Sequence, residues 1–150
     1  MQKSKKARPG KPKAATTAKT PKRSSKIATS IVPWLCVRDG TRAVDFYRAA
    51  FAAAELFRLE DGGSVVARLS VDGAEFWLSD ESPEHHNFSP ESLKGTTVRI
   101  ILTVANPDAV FARAVKAGAK EVFPMTDEHE WRVGRVVDPF GHHWEIGRPL

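Results

Sequence analysis

Cysteine occurs once in these 150 residues, at Cys36, so there is no internal disulfide framework and a reducing, cytoplasmic setting is expected. No apolar run nears the roughly 20 residues that span a bilayer, and the N-terminus lacks the apolar core of a secretory signal, so no membrane partner is expected. There is no glycine-rich phosphate loop and no serine-centred nucleophile elbow. Acidic residues are missing from the first 30 positions, which hold ten of the 23 Lys and Arg. The formal charge of +5 therefore misleads: from residue 31 onward thirteen basic residues face eighteen acidic ones, a net of −5.

Residues 1–29 are Lys, Pro, Ala, Thr and Ser with almost no large apolar side chain. Such a segment cannot bury enough surface to offset its ordering entropy, and it reads as a disordered basic tail. One use for it is weak, non-specific contact with nucleic acid or another polyanion through counterion release. The other is a solubilising or targeting extension, since no aromatic residues interleave the charges as stacking platforms would require.

From residue 31 the pattern is regular and it occurs twice. Ile31 to Val37 is a strand candidate, Asp39 a helix cap, and Ala43, Val44, Phe46, Tyr47, Ala50 and Phe51 form an apolar face at helical spacing. Moved on by 67 positions, Val98 to Val104 is another strand, Asn106 another cap, and Val110, Phe111, Ala114 and Val115 another face, ended by Gly118. Strand-like runs follow each helix: Glu55 to Leu59, Ser64 to Val71 and Ala74 to Ser79, then Glu121 to Pro124, Val133 to Val137 and His143 to Gly147. The reading is α+β: two βαβββ modules, 31–80 and 96–148, joined by a polar linker at 81–95 within one folded domain, 30–150.

The duplicated unit, with Val37-Arg38-Asp39 leading to Ala43-Val44-Asp45-Phe46-Tyr47, then Leu78-Ser79-Asp80-Glu81, Ser89-Pro90-Glu91-Ser92-Leu93 and Asp138-Pro139-Phe140-Gly141-His142, resembles the vicinal oxygen chelate superfamily. That superfamily includes glyoxalase I, extradiol dioxygenases, fosfomycin-resistance enzymes and bleomycin-resistance proteins, and the PhnB-like branch is the most similar. The resemblance covers residues 31–148. It implies the glyoxalase/bleomycin resistance/dioxygenase fold, in which each module curls its mixed sheet into a half-open cup and two modules pair to form a site, commonly in a homodimer.

The resemblance also implies metal ligands on the first and fourth strands of each module. The matching positions are Val32 and Arg99 on first strands, and about Trp77 and Glu145 on fourth strands, so Glu145 alone is a metal-ligand candidate. A permanently charged guanidinium at Arg99 would repel a cation, and pairing it with Glu145 would leave N–H donors free for a ligand's carboxylate, phosphonate or carbonyl. The bland alternative is that the pair satisfies two charges and binds nothing. By alternation Val32, Trp34 and Cys36 share one face, as do Glu75, Trp77 and Ser79, and Arg99, Ile101 and Thr103. Trp34 and Trp77 would give a planar ligand surfaces on which to stack, or else fill the volume of a vacated metal site.

His143 shares the Glu145 face and is the candidate general acid or base. His142 belongs to the turn motif and should bond locally. His85 and His86 beside Glu84 lie in the linker and read as an exposed loop. Arg132 and Arg135 could bind an anion at a cup's rim, with solvated strand charges as the plainer reading. Cys36 is a buried structural thiol unless His143 reaches it. The expected function is small-molecule binding or sequestration without a metal cofactor. The alternative is a lyase, isomerase or dioxygenase of the glyoxalase kind using Zn, Ni, Mn or Fe, with Glu145 as a ligand and others recruited from His143, Glu75 or a second subunit.

Overall fold

The computed structural model describes residues 27–150, so the basic tail lies almost wholly outside the described residues. Residues Ile31–Leu150 form one compact unit. The first module runs β1 (Trp34–Val37), α1 (Gly40–Phe51), β2 (Ala54–Asp61), β3 (Ser64–Val71) and β4 (Ala74–Asp80). Its counterpart runs β5 (Arg99–Thr103), α3 (Pro107–Ala117), β6 (Lys120–Glu128), β7 (Trp131–Val137) and β8 (His143–Pro149). Each is a four-stranded mixed sheet, ordered β1-β4-β3-β2 and β5-β8-β7-β6, with the first strand parallel to the fourth and the rest antiparallel. This is the expected pair of βαβββ modules.

Both helices begin where their caps stand. The Asp39 carboxylate accepts from the Arg42 N–H and the Asn106 side chain from the Ala109 N–H, and Gly118, at a positive φ of 118°, ends α3. Several strand limits differ from the sequence reading. β1 starts at Trp34, leaving Val32 ahead of the strand, because Pro33 brings no N–H to the ladder. β6 continues through Pro124 to Glu128, which an edge strand allows, with register shifts after Glu121 and Phe123 absorbing the proline. The linker carries a 3-10 turn at Pro83–His85 and a short helix, α2, at Pro90–Leu93.

The modules meet through their helix-bearing faces. Phe76 on β4 and Trp144 on β8 bring ring centroids within 5.6 Å, and Trp144 also lies 4.7 Å from Phe51 and 5.5 Å from Tyr47 on α1. Burying side chains of this size stabilises by about 1.5–3 kcal/mol each. One acid sits at the centre. The Asp138 carboxylate, 4% exposed, accepts from the Tyr47 hydroxyl at 2.6 Å, from Trp144 Nε1 at 2.9 Å, and from the N–H groups of Phe140 and His142, both at 2.9 Å. Burial, then the carboxylate, hold the Tyr47 phenol well above its ordinary pKa of 10, so it remains a donor.

The linker is fastened by a second acid. Glu81 accepts from the Ser89 N–H at 2.9 Å and from the Ser92 hydroxyl, with Arg38 at 3.4 Å. Hydrogen bonds from Ser89, then Ser92, with the Arg38 charge adding less, lower its pKa from 4.5 to about 2. A depressed carboxylate contributes its stability above the unfolded value and loses it as pH falls through the folded one. The protection of the α2 amides relative to their intrinsic exchange rates should therefore fall between pH 4.5 and about 2, and Glu81→Gln should flatten that dependence. An unchanged profile in the variant would assign the fastening elsewhere.

Candidate functional site

Since the helix-bearing faces are joined to each other, each sheet keeps one face open, and alternation decides which side chains stand on it. In module one these are Trp34, Phe57, Arg68, Glu75, Trp77 and Ser79. Trp34 and Trp77 are register partners with indole planes stacked at 5.4 Å and 14°, and Trp34 Nε1 donates to the Ser79 hydroxyl at 3.0 Å. Trp34 is nonetheless 56% exposed and Phe57 44%. Phe57 lies 5.7 Å from Trp77, the Arg68 guanidinium 5.6 Å over the same indole, and Glu75 3.8 Å from Arg68. Arg68, Trp77 and Phe57 are adjacent across three strands, which no short sequence motif would show.

Module two carries charge where module one carries indole. Arg99, Ile101 and Thr103 on β5 pair in register with His143, Glu145 and Gly147 on β8. Arg99 Nη1 donates to Glu145 Oε1 at 2.6 Å, so these two residues do come together on one face. Ile101, 65% exposed, lines a hollow of about 240 Å³ with Glu145, Trp131, Val133 and Gly147. Thr103 stands at the far end of β5, and His143 beside Arg99 at the near end.

Arg135 was the residue the sequence undervalued. It is the register partner of Glu145 across the β7–β8 ladder and of Phe123 across β6–β7, so it stands on the open face. Its guanidinium lies 4.5 Å from the Phe123 ring centroid. Arg132, three residues earlier on the other side of the strand, is instead committed to Asp108 and Asp127 at 2.5 and 3.2 Å. The available signal was the repeat, since Arg68 and Arg135 stand 67 positions apart.

The other candidates separate cleanly. The His142 main chain bonds locally to Asp138, while its ring reaches farther: Nε2 donates to the Cys36 carbonyl at 2.9 Å, joining the second module to β1. The nearest histidine bond thus reaches the main chain of Cys36 and not its thiol, whose pKa burial and then Glu81 push up, so Cys36 is no activated nucleophile. His85 is exposed and lies 3.5 Å from Glu84. Beside β1 and β5 runs an apolar groove of about 620 Å³, with Trp34, Phe88, Leu93, Val98 and Ile100 on its walls.

A divalent cation would need several converging donors, and the positions that would supply them hold Val32, Trp77, Arg99 and Glu145. The one carboxylate among them is engaged by a guanidinium, so this donor set does not fit a metal. No group of three or more His, Cys, Asp or Glu is placed to hold a metal ion among the described residues. No helix of the described residues is long and apolar enough to cross a membrane.

Comparison with known proteins gives a consistent picture. The family model described as Glyoxalase/Bleomycin resistance protein/Dioxygenase superfamily matches residues 27–146. An uncharacterized protein of Mycobacterium bovis is 42% identical over 131 residues, covering 83% of this chain and 86% of that protein. Among solved structures, TioX from Micromonospora sp. ML1 superimposes with a TM-score of 0.66 at 28% identity, over 82% of this chain and all of TioX. The At5g48480 gene product of Arabidopsis thaliana does so with a TM-score of 0.64 at 30% identity, over 79% of this chain and 98% of that one.

Proposed function

This chain belongs to the Glyoxalase/Bleomycin resistance protein/Dioxygenase superfamily, and from that premise we propose that it is a metal-independent small-molecule-binding protein whose ligand lies on the open sheet faces. The observation that carries the reading is the stacked Trp34–Trp77 pair, held in register on an open face with more than half of Trp34 in water. Exposed aromatic surface of this kind, fixed by a hydrogen bond to Ser79, is costly to leave uncovered and suits a planar molecule. The engagement of Glu145 by Arg99 supports the same reading against a metal-dependent lyase, isomerase or dioxygenase.

The site takes two copies. Because Phe76 and Trp144 join the modules back to back, the open faces of one chain cannot close on each other, and a cup built of two faces draws the second from another protomer. A homodimer also covers Phe57, Ile101 and Phe123, all more than 40% exposed in the single chain. Glu75, Thr103 and His143 share these open faces, Glu75 beside Arg68 and His143 beside Arg99.

Titration with 2-naphthalenemethanol, followed by calorimetry, tests the reading. Affinity should fall about tenfold or more in Trp77→Ala, as loss of a stacking partner predicts. Dialysis against Zn, Ni, Mn and Fe salts should leave the protein with far less than one ion per chain. Stoichiometric occupancy, with Glu145→Gln abolishing it, would instead establish the metal-dependent alternative.

A further inference from the structure

Resting on the reading that the open faces bind a small molecule, we infer that Arg135 and Arg99 form an anion subsite, and that the ligand is a planar aromatic bearing a carboxylate or another singly charged oxyanion. The argument is one of charge and register. Module one's open face balances Arg68 with Glu75. The matching arginine of module two, Arg135, has Glu145 as its cross-strand partner, but that carboxylate is taken by Arg99 at 2.6 Å. In register, Arg99 and Glu145 stand where module one has Val32 and Trp77, and His143 stands where it has Glu75, so the second face gains a cation and an acid and loses an acid.

Around Arg135 the face therefore holds two guanidiniums and one carboxylate, with a second acid, Glu128, farther off beside Trp131 at the hairpin end. Arg135 Nε is buried and has no hydrogen-bond partner among the described residues, and its guanidinium rests on Phe123; Arg68 Nε also lacks one, but that guanidinium keeps Glu75 at 3.8 Å. A buried donor without an acceptor is costly, and one persisting beside an open face is explained when a ligand supplies the acceptor. Arginine's planar fork suits an oxyanion of two or three oxygens. Stacking on Phe123 holds that fork flat, so little freedom remains to be lost on binding. In the paired cup the indoles of one protomer take the aromatic body while the arginines of the other take the charge.

Calorimetry on the full chain with matched probes tests this: 2-naphthoate, 2-naphthylphosphonate and the neutral 2-naphthalenemethanol. The acid should bind about tenfold or more tightly than the alcohol, the size expected for a charge-assisted bond. The naphthoate-to-phosphonate ratio separates a carboxylate ligand from a phosphonate one. Arg135→Gln should remove the preference and leave alcohol affinity unchanged, which also certifies that the variant folds. Arg135→Lys should restore part of it, and Arg48→Gln, the same charge change in the last turn of α1 away from the open faces, should leave it intact. Equal affinity for acid and alcohol would overturn the anion subsite while sparing the aromatic-binding reading. Failure of all three probes to bind would overturn both.

Discussion

Asp138→Ala is expected to lower the stability of the folded domain by about 4 kcal/mol, because four donors lose their acceptor at once in a buried place. Two are main-chain N–H groups of the turn, Phe140 and His142, on Oδ1; the others, the Tyr47 hydroxyl and Trp144 Nε1, converge on Oδ2. Tyr47 belongs to module one and Trp144 to module two, so the carboxylate is the polar centre of the seam between them. Against a total of roughly 5–15 kcal/mol for a native domain, such a loss is large. The thermal midpoint should drop by roughly 12–16 °C. Asp138→Asn keeps the size but turns one acceptor into a donor facing other donors, and should cost about half as much. Tyr47→Phe removes a single bond and should cost about 1–2 kcal/mol. Urea and thermal unfolding of the three variants check the order; an alanine variant as stable as the parent would show that the seam is held by its aromatic rings alone.

Glu145→Gln is expected to act in the opposite sense on binding while barely touching stability. Arg99 is 58% exposed, so its pair with Glu145 is screened by water and worth about 0–1 kcal/mol to the fold. Removing the acid leaves both Arg99 and Arg135 without an adjacent carboxylate, and affinity for 2-naphthoate should rise by about tenfold. A charge pair with a merely neutralising role predicts the reverse: a measurable loss of stability and no change in anion binding. Thermal midpoint and calorimetric affinity measured on one preparation separate the two.

Much of the architecture was legible in the chain. The 67-residue repeat, the caps at Asp39 and Asn106, and the alternation along β3 and β8 follow from local rules of helix ends and strand faces. The position of Arg99 beside Glu145 was legible for the same reason, since parallel register places residues on adjacent strands by counting. Asp138 looked like a turn residue and Arg135 like a solvated strand charge. Their surroundings are built by residues far away in sequence: Tyr47 is 91 positions from Asp138. His142 similarly reaches Cys36 across 106 positions, which its own turn gives no hint of.

The sequence by itself determined two βαβββ modules, their open and covered faces, and the loss of a chelating donor set at Val32, Trp77 and Arg99. Short-range periodicity is enough for the modules and their faces, while the chelating positions are those that the family resemblance implies. Only the tertiary structure decided that the covered faces join through Phe76 and Trp144, that Asp138 is buried in their seam, and that Arg135 keeps a donor without an acceptor. Those depend on how two separately formed sheets dock, and docking is set by side-chain packing across long sequence separations, where no local pattern records the partner.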